Sequence, residues 1–153
     1  MNNRLFFLLI LSAIILTSCQ AAPPPPPITA AVNEEFILHP GQSAAILGTD
    51  ITLRLIAVPG DGRCPLDIEC TESGPVMLHI SLQKGDNRSS ESLLQTFTDN
   101  DGRVPEGPFE GIQDRVEYED YIVRVKAVLP YPANFSGRIN DTDYQVSFVV
   151  TSK

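Results

Sequence analysis

The sequence lacks tryptophan and has only two histidines and three cysteines in 153 residues. Without tryptophan, and without cysteines spaced to bridge two sheets, it lacks the immunoglobulin signature of a buried Trp packed on an inter-sheet disulfide. His39 lies in a turn-like stretch and His79 in a strand-like one, so neither suggests a Ser-His-Asp or Cys-His set. No glycine-rich phosphate loop precedes a helical pattern. We therefore expect a protein that is not an enzyme and needs no cofactor.

Basic side chains are also scarce, with 11 Lys and Arg against 19 Asp and Glu and a formal net charge of -8. An acidic domain is repelled by phosphate backbones, so nucleic acid is not an expected partner. The length suffices for one domain and a tail.

One long apolar run, residues 5 to 16, follows Arg4 near the N-terminus. It is too short for an ordinary membrane span and is typical of an export signal. It ends in Leu16-Thr17-Ser18-Cys19, which resembles the bacterial lipobox. The resemblance implies that residues 1–18 are a signal peptide and that Cys19 becomes an acylated, palmitate-bearing N-terminus. Since two acyl chains give stable anchoring, we expect a lipid anchor in the cell membrane or outer membrane, with the domain outside the cytoplasm.

A proline-rich segment follows the anchor and includes Pro23 to Pro27. Five prolines favour an extended polyproline II rod of about 3 Å per residue, or roughly 15 Å in all. Residues 19–33 are therefore predicted to be a tether, and residues 34–153 the folded domain. Loss of residues 1–18 removes one basic and no acidic side chain, which changes the net charge from -8 to -9.

From residue 34 onward apolar side chains alternate as in strands, and no stretch has helical spacing over a useful length. Residues 76–83 show the clearest alternation. In residues 121–129 every second side chain is predicted to face inward, namely Tyr121, Val123, Val125, Ala127 and Leu129. Near the C-terminus Tyr144, Val146, Phe148 and Val150 alternate with polar and other side chains in the same way. Short strands separated by turn chemistry predict an all-β fold. We expect a single antiparallel β-sandwich of about seven strands with immunoglobulin-like architecture, or alternatively a small β-barrel.

Two cysteines remain in the stretch GDGRCPLDIECTESG, residues 60–74. In an exported protein, a disulfide between Cys64 and Cys70 is the default, contributing roughly 2 kcal/mol because the loop is short. The candidate contact residues on this loop are Arg63, Pro65, Asp67 and Glu69. Residues 99–111 form a second candidate contact loop, whose Asp99 to Gly102 turn is read as a solvated acidic turn rather than a calcium site.

A metal site is the alternative use of the cysteines. Cys64, Cys70, Met77 and His79 include the soft ligands that copper(I) prefers. A redox dithiol is a further alternative, although five residues separate the cysteines rather than the two of a thioredoxin-like motif.

Residues 36–150 resemble a recurrent module of exported bacterial proteins and lipoproteins of unknown function, which has an Asp-Ser-Arg-Cys-Pro loop followed by Cys-x-Trp-x-Gly. Arg63, Cys64, Pro65, Cys70 and Gly74 match this pattern; Gly62 replaces its Ser and Glu72 its Trp. The resemblance implies a small β domain with a cystine loop and carries no activity.

These observations favour a membrane-anchored exported lipoprotein whose β domain has a non-catalytic binding or structural role, with an unknown protein or other envelope component as partner. Two alternatives stay open. One is a periplasmic copper-binding protein. The other is a protease inhibitor of the cell envelope, because chagasin-like inhibitors are also small exported β-sandwiches, although their glycine-rich and Asn-Pro-Thr-Thr type loops are not found here.

Overall fold

A computed structural model describes residues 23–107 and 111–153. The expected signal peptide, residues 1–18, and the expected lipidated Cys19 lie outside the described residues. The described residues form nine strands. These are β1 (Ile28–Ala30), β2 (Glu35–Leu38), β3 (Ser43–Ile46), β4 (Ile51–Asp61), β5 (Val76–Lys84), β6 (Ser90–Thr96), β7 (Arg115–Tyr118), β8 (Tyr121–Leu129) and β9 (Gln145–Ser152). The described part of the chain has no helix with the length and apolarity needed to cross a bilayer.

The strands form two sheets, which confirms the predicted all-β sandwich. Sheet A has the order β1-β3-β4-β5-β6, and sheet B has the order β2-β9-β8-β7. Every pairing is antiparallel except that of β1 with β3. Both sheets are open, so the small closed barrel is not the architecture.

The core lies between the sheets and follows from the alternation of apolar side chains. Each sheet presents one apolar face, as expected where strand side chains point alternately to opposite faces. The fully buried side chains include Leu53, Leu55, Leu78, Ile80, Val123, Val125, Val146 and Phe148. The predicted inward set of β9 is confirmed, with Tyr144 and Val150 also buried.

A β-bulge in β8 changes which side chains face the core. The pairing of β8 with β9 shifts register between Val125 and Ala127. Beyond the shift Ala127 and Val128 are both buried, whereas Leu129 is 38% exposed. The prediction that Leu129 points inward was therefore wrong, because strict alternation does not hold through a bulge.

The second half of the expected tether is more structured than predicted. Within residues 19–33, Ile28–Ala30 form β1, so the sandwich begins before residue 34. The Gln42 side chain is buried and its Nε2 donates to the Pro26 carbonyl oxygen at 2.8 Å. The end of the proline run is thus bonded to the domain rather than held away from it.

The first part of the second candidate contact loop is pinned to sheet B. The Val128 N–H donates to Gly102 O at 2.8 Å, and the Val104 N–H donates to Lys126 O at 2.9 Å. Gly102 has a φ of 76°, and a Cβ there would lie 2.6 Å from Val128 O, so only glycine fits without a shift. Residues 108–110 of this loop are outside the described residues.

Two charged side chains reinforce this attachment. Asp99 Oδ1 accepts the backbone N–H groups of Asp101 and Arg103 at 3.0 and 2.8 Å, as a turn-capping carboxylate does. Arg103 Nη1 donates to Glu35 Oε1 on β2 at 2.6 Å, and this bond lowers the pKa of the Glu35 carboxyl. The acidic turn is therefore held by its own hydrogen bonds.

The bulge in β8 can be tested by comparing two neighbouring truncations. We expect Val128→Ala to lower the free energy of unfolding by about 2 kcal/mol, because it removes buried methyl groups and leaves a cavity. Leu129→Ala should cost under about 1 kcal/mol, because that side chain is partly in water. Urea unfolding of the chain from residue 20 onward would measure both, and a larger loss for Leu129→Ala would contradict the bulged register.

Candidate functional site

The two predicted cysteines form a disulfide. Cys64 and Cys70 are joined by an S–S bond of 2.09 Å, with their Cα atoms 5.9 Å apart. The bond closes a ring of residues 64–70 within the connection from β4 to β5, residues 62–75, which we call the cystine loop. This loop lies at one end of the sandwich together with the turn at residues 39–42 and the segment at residues 130–144. We call this the cystine end.

The base of the cystine loop is a close backbone contact between two glycines. The Gly62 N–H donates to Pro75 O at 3.0 Å, and the Gly74 N–H donates to Gly62 O at 2.8 Å. A Cβ at Gly74 would lie 2.8 Å from Gly62 O, closer than side chains tolerate. Glycine at both positions therefore allows the two backbone segments at the base of the loop to lie in contact, and the disulfide ring extends beyond them.

Arg63 lies at the centre of the cystine end and is 4% exposed. Its Nε donates to Asp61 Oδ1 at 2.9 Å, and its Nη2 donates to Asp61 Oδ2 at 2.6 Å. This is a bidentate ion pair, the geometry in which arginine binds a carboxylate most strongly. The sequence placed Arg63 among exposed contact residues. The structure instead buries it, and the Asp61 carboxylate two residues away compensates its charge.

The remaining donors of Arg63 reach the other sheet. Nη1 donates to Val128 O at 2.7 Å and Nη2 donates to Pro130 O at 2.8 Å, both at the end of β8. The guanidinium also lies 5.0 Å from the centre of the Tyr131 ring, at cation-π distance. A single side chain therefore ties the end of β4 in sheet A to the end of β8 in sheet B.

Tyr144, just before β9, completes this buried polar group. Its hydroxyl donates to Asp61 Oδ2 at 3.1 Å, and the residue is 5% exposed. Burial raises the pKa of the Tyr144 phenol, and the negative charge of Asp61 raises it further. Tyr144 therefore stays neutral and donates a hydrogen bond to the Asp61 carboxylate, whose charge Arg63 neutralises.

Two loops of the cystine end are hydrogen-bonded to each other and carry exposed apolar side chains. The Leu66 N–H donates to Pro132 O at 3.1 Å, and the Phe135 N–H donates to Asp67 Oδ1 at 2.9 Å. Phe135 is 74% exposed and Leu66 58%, and Ile68 on the same loop as Leu66 is also exposed. We call Leu66, Ile68 and Phe135 the apolar tip.

The other predicted contact residues have different positions around this tip. Pro65 is half-buried within the disulfide ring. Asp67 is exposed, and one of its oxygens holds the Phe135 backbone. Glu69 is exposed on the rim. A groove of about 290 Å³ beside Phe135 is also lined by Arg63, Tyr144 and Arg138.

The alternative copper ligands are not assembled for metal binding. Cys64 and Cys70 have their sulfurs in the disulfide, so neither is a thiolate. His79 Nε2 lies 2.9 Å from Glu91 Oε2 on the neighbouring strand. Among residues 23–107 and 111–153, no three His, Cys, Asp or Glu side chains are grouped to hold a metal ion.

No protein-family model, curated protein or solved structure matches the chain. The geometry of the cystine end is therefore the basis for the function proposed below.

The sequence analysis identified the cystine loop but missed three residues of the cystine end. Asp61 is the side-chain partner of Arg63, Tyr144 donates a hydrogen bond to Asp61, and Phe135 is the most exposed member of the tip. The adjacency of Asp61 and Arg63 in DGRC was a usable signal. Nothing in the sequence near residue 135 indicates that it lies beside residue 67.

The ion pair can be tested by removing one partner. We expect Arg63→Ala to lower the free energy of unfolding by about 3–5 kcal/mol, because it leaves the Asp61 carboxylate and two carbonyls without their donor. Arg138→Ala is the matched control, since Arg138 is exposed, and should change stability by less than about 0.5 kcal/mol. Chemical denaturation measures both, and equal effects would contradict the structural role of Arg63.

Tyr144 gives a spectroscopic test of the same group. The chain has four tyrosines, and we expect Tyr144 to ionise only at a higher pH than an ordinary phenol. Since its pKa is raised in the folded state, its contribution to stability is present below about pH 10 and is lost as the pH rises above that value. The phenolate absorbance of Tyr144→Phe should therefore lack the last phase of the native titration. If the high-pH phase were unchanged in Tyr144→Phe, the tyrosine with the raised pKa would be a different one.

Proposed function

We propose that the protein is a lipid-anchored exported protein whose β-sandwich is a non-catalytic binding domain, with the apolar tip at the centre of the binding surface. The anchor is Cys19 of the lipobox-like Leu16-Thr17-Ser18-Cys19. The membrane is the cell membrane or the outer membrane, and the domain lies outside the cytoplasm.

The exposed apolar tip carries this proposal. Three large apolar side chains stand in water on two loops that are hydrogen-bonded to each other. Exposed apolar surface with a polar rim is typical of a binding site for another protein or a membrane. The loops are also supported from below by the buried Arg63 group, so little order has to be gained on binding.

The charge of the domain narrows the choice of partner. Acidic side chains exceed basic ones, and Asp67, Glu69 and Glu72 on the cystine loop are exposed. Nucleic acid and strongly anionic surfaces would be repelled. The protease inhibitor alternative stays a prediction.

Acylation of Cys19 can be tested by metabolic labelling with palmitate. We expect label in the native chain and none in Cys19→Ser, because only a thiol accepts the lipid. The chain carrying both Cys64→Ser and Cys70→Ser is the matched control and should be labelled like the native chain, because its Cys19 is intact. Palmitate on Cys19→Ser would contradict the anchor.

A further inference from the structure

The proline segment lies against the cystine end of the sandwich. Pro23, Pro24 and Pro25 line one hollow with the turn at residues 39–41 and with Thr142. The adjoining Pro26 accepts the Gln42 hydrogen bond described above. The first described residues of the chain are therefore fixed to the same end that carries the cystine loop.

Strand direction leads to the same conclusion. β1 runs parallel to β3, with Ile28 opposite Ala44, so the chain before β1 lies where β3 begins. β3 begins at the turn of residues 39–42, and its first residue, Ser43, pairs with Arg54. From that pair β4 continues towards the cystine loop, whereas β3 runs in the opposite direction. That turn, the cystine loop and the segment at residues 130–144 all belong to this end.

The distance from this point to the proposed anchor is short. Cys19 precedes Pro23 by four residues, and four residues span at most about 14 Å even when fully extended. A lipid on Cys19 would hold the cystine end close to the bilayer surface. This step rests on the proposed acylation.

The two ends of the sandwich differ in what they expose. The apolar tip stands at the cystine end. The opposite end carries the ion pairs Lys84 with Glu119 and Lys153 with Glu117. Leu47 is the exposed large apolar residue of that end, and at 57% it is about as exposed as Leu66.

From these observations we propose that the cystine end faces the membrane and that the apolar tip rests in the headgroup boundary of zwitterionic lipid. Apolar side chains held within reach of a bilayer gain by leaving water for the acyl boundary. The lipid on Cys19 adds to this contact, because it makes the encounter of the tip with the bilayer intramolecular.

The acidic side chains of the cystine loop determine which kind of lipid headgroup the apolar tip can contact. Asp67, Glu69 and Glu72 would be repelled by anionic headgroups at low salt. Arg138, near Phe135, is the basic side chain at the edge of the groove. Neutral or zwitterionic headgroups therefore fit this surface better than anionic ones.

The absence of tryptophan allows a direct test. The acylated chain from Cys19 onward, carrying Phe135→Trp, would be reconstituted into phosphatidylcholine vesicles that contain brominated lipid, which quenches tryptophan on contact. Leu47→Trp is the matched control at the opposite end. Both positions are exposed, so neither substitution should alter the fold, and urea unfolding of each variant would verify this.

We expect the tryptophan at position 135 to be quenched at least about twofold more than that at position 47, with emission shifted to shorter wavelength. Equal, weak quenching of both variants on vesicles that carry the protein would overturn the inference and leave the anchor intact. The tip would then face water and be available to a protein. A chain that does not float with the vesicles would instead overturn the anchor, and the inference with it.

Lipid charge provides a second readout. Replacing part of the phosphatidylcholine with phosphatidylglycerol should reduce quenching at position 135 at low salt, and added salt should restore it. Adding Glu69→Gln and Glu72→Gln to Phe135→Trp should weaken this dependence, because only Asp67 of the three carboxylates then remains. Stronger quenching on the anionic vesicles would overturn the assignment to zwitterionic lipid.

Discussion

The ion pair of Arg63 with Asp61 is the constraint on which the cystine end depends. A guanidinium taken out of water is costly unless every donor is paired, and here a carboxylate, two carbonyls and an aromatic face surround it. These partners come from both sheets, so the group is complete only when the sandwich has closed. The ends of β4 and β8 are consequently held in one relative position. The loops that follow these two strands are therefore also held in a fixed position relative to each other.

The disulfide has a more local role. It closes a short ring whose contribution to stability is roughly 2 kcal/mol, and it shapes that ring rather than joining the sheets. The contacts of Leu66 with Pro132 and of Asp67 with Phe135 join the ring to the segment from β8. A rigid ring supported by a buried ion pair can keep apolar side chains exposed in water at a fixed place, as a binding surface requires.

The all-β sandwich could be predicted from the sequence, because alternation along residues 76–83 and in β9 is a local pattern that burial imposes. Leu129 shows the limit of that reasoning, since a bulge depends on the partner strand and leaves no clear mark in one strand's own sequence. The disulfide followed from the export signal and the count of cysteines. The burial of Arg63 and the position of Phe135 could not be predicted, because both depend on contacts between residues more than sixty positions apart.

Amide hydrogen exchange at Leu66 and Phe135 tests most directly whether the ion pair, rather than the disulfide, joins the two loops. The Val125 N–H, which donates to Asp114 O in sheet B, serves as the internal reference. In Arg63→Lys we expect both loop amides to exchange about tenfold faster or more relative to Val125, because lysine cannot make the bidentate pair and also reach both carbonyls. In the variant with Cys64→Ser and Cys70→Ser the Phe135 amide should keep most of its protection. Loss of protection in the cysteine variant but not in Arg63→Lys would contradict the account.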